Sequence, residues 1–412
     1  MTDTADNFLN LHVLVTSAVA NANRDDTGAP KQVTYGGVTR HRMSSQAMTR
    51  AKRTDFELTA SGDQVSWRST TGTLALAMTM ATDLATQTGQ TLTDAERTAL
   101  TAQMTKAVSS LMMNRVKAEK AAAERARAAK AKAVAAGTDT AADGDTDPGD
   151  DGSDLGKKDT LTWLAEHEVR RLVTTSLAKV RTGTDPGDFV NPDGHTQALS
   201  IAAFGRMFAF RRDLQNEAAV QRSHAFTTHS ANIEPDYFTA VDDLPPAGSG
   251  AGAGHLDIAQ YGGGTFYWHA NIDRSQLWAT WIPACDDTEI RSRLTVFFTS
   301  LLLALPFGKE HTTAHKTVPD AVLAVPAAAP VALHQAFDAP VVAAGDGFRT
   351  PSVARLVDAH TRVAAFTPRQ FPSGAWYAGT VTAPATDAAV TVEANLDTLV
   401  HRCVDWTMAG RP

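Results

Sequence analysis

Three places in the chain carry side chains whose type and spacing could do chemistry. Asp25-Asp26 is the only carboxylate pair with catalytic promise. It stands in a polar loop, where it could position a divalent metal or activate a ribose hydroxyl. The commoner use of adjacent loop aspartates is structural: they hold a cation such as Arg24 or cap local backbone amides. His311 and His315 have a metal-ligand spacing on a helix, but no Glu lies between them at the metalloprotease position and no third ligand is evident. The third place is residues 24–53. No carboxylate lies between Asp26 and Asp55, whereas Lys31, Arg40, Arg42, Arg50, Lys52 and Arg53 all fall in that span. The whole chain has a formal net charge of −7, so this positive field is local. Such a field suits a polyanion, single-stranded nucleic acid first. The alternative is a solvated basic helix face with no ligand.

The elements that would position these cations follow from the pattern. Phe8–Thr16 alternates, with Leu9, Leu11, Val13 and Val15 on one face, and reads as a first strand. A polar loop leads to a second strand over Val33–Met43, interrupted at Gly36-Gly37 by a bulge or a close backbone approach. Ser44 or Ser45 then caps a helix over Gln46–Phe56. Arg42 would end the strand, Arg50 and Arg53 would share one helix face, and the helix amides would add a phosphate-binding end. This β–loop–β–α opening fits an α+β fold of ferredoxin or RNA-recognition type.

Residues 60–185 read as a helical insertion, with patterns over 70–89, 93–118 and 160–181. Arg115–Ala136 is alanine-rich and basic. Residues 138–156 are acidic, low in complexity and expected to be disordered; they share only composition with a calcium loop. Gln197–Phe210 reads as a core strand and Arg212–Arg222 as a helix. Next comes a long hairpin, 226–264, with a proline- and glycine-rich tip. It carries Tyr237 and Phe238, placed either to insert between bases or to anchor the hairpin on its own domain. One or two helices over 274–305, strands over 318–344, a helix over 352–365, a strand at 390–394 and a closing helix at 396–408 complete the chain.

Composition narrows the class. The chain has 412 residues, 43% hydrophobic and 20% charged, enough for a sizeable core. Its two cysteines, Cys285 and Cys403, build neither a disulfide framework nor a zinc cluster. Asp3 and Asp6 precede a short alternating segment, which argues against a signal peptide, and no apolar run reaches membrane-spanning length. A cytoplasmic protein without membrane contact is expected. There is no Gly-x-Ser-x-Gly motif and no dinucleotide fingerprint, and Gly308-Lys309 has Leu303 where a Walker loop needs glycine. No catalytic residue, cofactor or metal is expected.

Phe8-Leu9-Asn10-Leu11-His12-Val13-Leu14, Asn23-Arg24-Asp25-Asp26, Tyr35-Gly36-Gly37 and Arg42-Met43-Ser44-Ser45-Gln46 resemble the opening of the CasC family, the repeated backbone subunit of type I-E CRISPR Cascade complexes. Gly205-Arg206-Met207, Phe238-Thr239-Ala240-Val241-Asp242-Asp243-Leu244 and Phe266-Tyr267-x-x-Ala270-Asn271-Ile272 extend the resemblance, which is strongest at residues 8–56, 199–244 and 264–277.

The resemblance implies a hand-like subunit. A palm of RNA-recognition type (1–59, 186–225 and 265–412) carries helical fingers (60–185) and a thumb hairpin (226–264). It implies a non-enzymatic scaffold that oligomerises along CRISPR RNA, contacts neighbouring copies and other Cascade subunits, and presents the guide to a target DNA strand. Lys31, Arg42, Ser44, Gln46, Arg50, Arg53, Arg206 and Lys309 would bind the RNA, with Met207 at its kink. Tyr237, Phe238 and Leu256 would be thumb residues at a displaced base pair. The alternative function is a metal-dependent ribonuclease using Asp25 and Asp26, by analogy with related backbone subunits that cut. Three departures stand out: Thr49 where the family has a lysine, the insertion in the fingers, and the glycine-rich thumb tip.

Overall fold

A computed structural model describes residues 6–59, 65–69, 72–89, 91–111, 161–184, 188–191, 193–208, 211–241, 253–384 and 390–411. The basic run 115–136, the acidic run 138–156 and the hairpin tip lie outside the described residues. The chain divides into two compact units, residues 1–61 with 218–412, and residues 62–217.

The first unit is built on a large mixed sheet, so the α+β expectation holds. Strands β1 (Phe8–Ala20), β2 (Gln32–Tyr35) and β3 (Val38–Met43) are followed by helix α1 (Ser45–Thr59). β1 is buried along Leu9–Val15 on both faces, not only at its alternating leucines and valines, because helices cover the sheet on each side. Gly36-Gly37 is not a bulge. Both residues have positive φ, and they close a two-residue hairpin turn between β2 and β3. A Cβ at Gly36 would lie 1.6 Å from the Asp338 carbonyl oxygen.

The second unit carries β4 (Ser66–Ser69), α2 (Gly72–Gln87), α3 (Asp94–Ser110), β5 (Thr162–Ala165), α4 (Glu166–Thr182) and α5 (Leu199–Phe204). β4 and β5 pair antiparallel, and the helices bury Leu100, Met104, Leu164, Val169 and Leu172. Three sequence expectations change here. The segment from residue 160 opens with a strand before its helix. The stretch 197–210 is a short helix and not a core strand: Leu-Ser-Ile-Ala-Ala is buried on every side, and a short apolar run of that kind does not distinguish the two by periodicity. The expected helix 212–222 is a single 3-10 turn, Arg212–Leu214, followed in the first unit by a strand. Accordingly residues 186–217 group with the insertion.

The first unit resumes with β6 (Val220–Arg222), β7 (Ala225–Thr227), β8 (Glu234–Val241) and β9 (Ala253–Asp273). Then come α6 (Arg274–Thr280), α7 (Asp287–Leu303), α8 (Glu310–Thr313), β10 (Ala321–Ala327), α9 (Arg349–Phe366), β11 (Ala375–Gly379), β12 (Val390–Val392) and α10 (Leu396–Ala409). The strand order is β12-β11-β10-β1-β9-β7-β3-β2, with β6 and β8 also on β9. Side chains alternate across β9. Tyr267 packs with Leu323, Phe337 and Leu356 on one face. Trp268 meets Lys52 of α1 on the other. On that second layer Phe56 of α1 packs edge-on to Phe297 of α7.

The first face carries a group of buried histidines. His12 and His269 stack at 4.9 Å, and His12 Nδ1 lies 2.9 Å from the Tyr267 hydroxyl. Burial pushes His12 well down, His269 down to about 3 and His360 down to about 4. All three stay neutral in the folded protein, whereas the unfolded chain takes up protons at a pH of about 6.5. The unfolded state therefore binds more protons below that point, and stability falls as pH falls, by about 1.4 kcal/mol per pH unit per histidine. Urea unfolding between pH 7 and pH 5 should show this loss, and His360→Gln should shrink its slope by one histidine's share. A flat profile above pH 5 would contradict the assignment.

Candidate nucleic-acid interface

The junction of β3 and α1 is held by short polar contacts. Ser44 caps α1: its Oγ accepts from Ala47 N at 3.2 Å and its carbonyl from Met48 N at 3.0 Å. Asn23 Oδ1 accepts from Ser44 N at 2.8 Å, and the Asn23 carbonyl accepts from Lys31 N at 3.0 Å. Arg42 N donates to the Lys31 carbonyl at 2.7 Å, which sets those two cations side by side. Ser45 N, the first helical amide, donates to His224 Nδ1 at 2.8 Å, so His224 carries its proton on Nε2. Burial, then the charges of Arg42 and Lys31, push the His224 imidazole below its ordinary range. Ala22, Asn23, Pro30, Lys31, Arg42 and Gly262 line a shallow groove here. Gln46 and Arg50 are exposed on α1 nearby. The half-exposed Lys31 and Arg42, with no carboxylate from residue 27 to residue 54, give this edge a local positive charge, while the first amides of α1 are largely taken by His224 and Ser44.

Lys309 reaches the same edge from a distant part of the chain. Its loop is pinned by Gly308, where a Cβ would lie 2.3 Å from the Ala22 carbonyl oxygen and 2.7 Å from that of Asn21. The buried His315 closes the loop from inside, with Nε2 2.9 Å from the Pro306 carbonyl and Nδ1 3.0 Å from Thr313 Oγ1. His315 is thus an internal staple, and no group of three or more metal-ligating side chains occurs among the described residues. Lys309 itself sits at φ 52°, and its Nζ lies 5.3 Å from the centre of the Tyr261 ring on β9.

Other cations of the basic run are turned inward. The Arg40 guanidinium donates to the carbonyls of Tyr35, Thr227, Phe337 and Asp338 and is fully buried. Lys52 donates to the Ala304 carbonyl at 2.6 Å beneath Trp268. Arg53 departs from the expectation that it shares an exposed face with Arg50: it is 7% exposed and bonded to Glu57 at 2.5 Å. In the second unit Arg206 is also internal. Its guanidinium bonds Glu168 at 2.6 Å and the Trp163 carbonyl at 3.1 Å. Met207, next in sequence, is 80% exposed. Arg206 thus fixes the turn from which Met207 projects.

The hairpin of β8 and β9 sorts its apolar residues by parity. Tyr237 faces Ile258 and Thr239 faces Leu256, so Tyr237, Leu256 and Ile258 form one exposed stripe. Phe238 opposes Asp257 and points to the other side. Ile258 is a member of the stripe that sequence reading missed; only the pairing register reveals it. The hairpin base is gripped by Asn21, whose Nδ2 donates to the Gln260 carbonyl at 2.9 Å and to the Gly28 carbonyl at 2.8 Å. His41 Nε2 lies 2.9 Å from the Asn232 carbonyl.

Asp25 closes its own loop. One carboxylate oxygen accepts from Thr27 N, Thr27 Oγ1 and Ala29 N, at 2.9, 2.7 and 3.0 Å. These bonds, the Thr27 hydroxyl foremost, hold its carboxyl below the ordinary aspartate range. Asp26 is exposed.

No helix of the described residues is long and apolar enough to cross a membrane. Comparison with curated proteins gives no significant match. Solved structures share the fold, among them two CRISPR RNA-guided complexes. One is titled "CRISPR RNA-guided surveillance complex, pre-nicking" and is 24% identical, with a TM-score of 0.68 over 97% of this chain and 100% of that one. The other, "CRISPR RNA-guided surveillance complex", is 22% identical, with a TM-score of 0.57 over 97% and 99%. The sequence also matches one family across nearly its whole length, from residue 9 to residue 402, and the chain belongs to it: the CT1975-like proteins, Cas_CT1975.

Proposed function

We propose that this protein is a CRISPR RNA-binding subunit of a Cascade-like surveillance complex. Within that class we assign it to the CasC type, the repeated backbone of type I-E complexes. The observation that carries the reading is the groove lined by Lys31 and Arg42, adjoined by the start of α1 through Asn23 and by the Lys309 loop through Ala22, in a stretch with no carboxylate from residue 27 to residue 54. The fold shared with subunits of CRISPR RNA-guided surveillance complexes supports it. The sheet unit serves as the palm, the inserted unit as the fingers and the β8–β9 hairpin as the thumb. Affinity comes from phosphate contacts, and sequence is read by pairing of the guide with a target DNA strand. Copies stack along the RNA beside other Cascade subunits. Lys31, Arg42, Arg50 and Lys309 are the principal phosphate ligands, and Ser44 and Gln46 add polar contacts at the helix start. Tyr237, Leu256 and Ile258 meet the displaced pair, with Phe238 on the reverse face.

Purification without nuclease, after co-expression with a CRISPR RNA precursor and its processing enzyme, should yield protein carrying a discrete guide-length RNA. Arg42→Ala or Arg50→Ala should weaken binding of single-stranded RNA about tenfold and lower the salt slope by roughly 0.7 per lost contact. Unchanged affinity and slope would sink this placement of the RNA.

We infer that the subunit acts without chemistry of its own, a reading supported by the use of Asp25 to cap its own loop. RNA incubated with the protein and magnesium should remain intact. Regularly spaced fragments that disappear in an Asp25→Ala, Asp26→Ala variant would favour a nuclease instead.

A further inference from the structure

Phe307 is an aromatic side chain left 40% exposed in a loop anchored on both sides of it, at Pro306 and at Gly308. Gly308 seats the loop against the backbone of Asn21 and Ala22, the same segment that lines the groove with Lys31 and Arg42. His315 ties the Pro306 carbonyl from within. Lys309 and Ala314 hold left-handed backbone conformations at φ 52° and 45°, which non-glycine residues adopt at a cost of about 1 kcal/mol or more each. The Lys316 ammonium lies 5.3 Å from the centre of the Phe307 ring and is paired to Glu310 at 2.7 Å. The result is an exposed ring on a seated backbone, with the Lys316–Glu310 pair against it, Lys309 two residues on, and the loop packed at Gly308 on the segment that lines the groove of Lys31 and Arg42.

Aromatic rings interleaved with cations along a groove are how proteins hold single-stranded nucleic acid without reading sequence, because every base offers a π-face. A ring carried on an already seated backbone loses less conformational freedom on stacking than one on a loose loop. We propose that Phe307 is a base-stacking residue for the RNA strand whose phosphates run past Lys31, Arg42 and Lys309. The proposal rests on the RNA-binding reading above and adds to it a non-ionic contact at a position that charge alone does not mark.

The test uses the full chain and single-stranded RNA oligonucleotides carrying one 2-aminopurine at successive positions. Wild-type protein and Phe307→Trp should quench the fluorophore at one position. Phe307→Ala and Phe307→Leu should abolish that quenching and weaken binding about tenfold, with the salt slope unchanged. Leucine keeps the apolar bulk of the loop, so its loss of quenching separates stacking from packing. Arg42→Ala is the contrast, since it should lower the slope and leave the quenched position in place. Equal affinity and quenching in Phe307→Leu and wild type would overturn the proposal while leaving the RNA reading intact. A reduced salt slope in the leucine variant would also overturn it, because Phe307 would then act only by placing the lysines. Failure of the wild-type protein to bind RNA would remove both readings.

Discussion

One strand belongs to two structures at once. From Ala253 to Tyr261, β9 pairs with β8 alone; from Gly262 to Asp273 it lies between β1 on one side and β6 and β7 on the other. The backbone has only two hydrogen-bonding edges, so the passage from hairpin to sheet must occur at one defined point along it. That point is Gly262. There the facing strand β1 shifts register between Ser17 and Ala20, and the His41 imidazole takes the space where a Cβ would sit, 2.3 Å from it. The cationic groove is lined by this same glycine. Hairpin direction and groove geometry are consequently set by one ladder of hydrogen bonds, reinforced by Asn21 and His41 at the two legs. Neither can be redirected without breaking the other.

The second constraint concerns charge. A buried cation is tolerated only when dipoles or a counter-charge replace the water it has lost. Arg40 is satisfied by four carbonyls and no carboxylate. Lys52 has one carbonyl and the face of Trp268. Arg53 and Arg206 have glutamates. These four hold the framework together and offer a ligand little. The basic run therefore splits into structural cations that tie the sheet and helices, and half-exposed ones that remain open to an anion. The two kinds alternate closely: Arg40 is wholly internal and Arg42, two residues on, lines the groove.

That split is what the sequence could not show. Charge and spacing singled out the junction of β3 and α1, where the Ser44 cap and the strand end beside Arg42 were legible in local residue patterns, as was a resemblance to CRISPR proteins. Which arginines face outward depended on carbonyls contributed by residues 227, 337 and 338, far along the chain. The same holds for the apolar stripe of the hairpin. Tyr237 and Phe238 are neighbours and looked like a pair, but strand geometry sends neighbours to opposite sides, and Ile258 joins Tyr237 only through the register. Residues 197–217 misled for a different reason. The apolar stretch is too short for its period to separate strand from helix, and its boundary is set by Gly205, whose backbone sits at φ 72°. The exposed ring at Phe307 had no signal in the sequence, because its setting is made by Asn21, Ala22 and His315.

The parity of the β8–β9 ladder also bears on how this hairpin can change in length. Inserting or deleting a single residue within either leg would rotate every side chain beyond it to the opposite face, exchanging the Tyr237 stripe for Phe238. Lengthening the segment between Val241 and Ala253 leaves the ladder untouched, and loop closure charges only slowly for added residues. Drift in chain length is thereby channelled to the tip, where residues 245–254 are already rich in proline and glycine. The legs are confined to substitutions that preserve which side each residue faces.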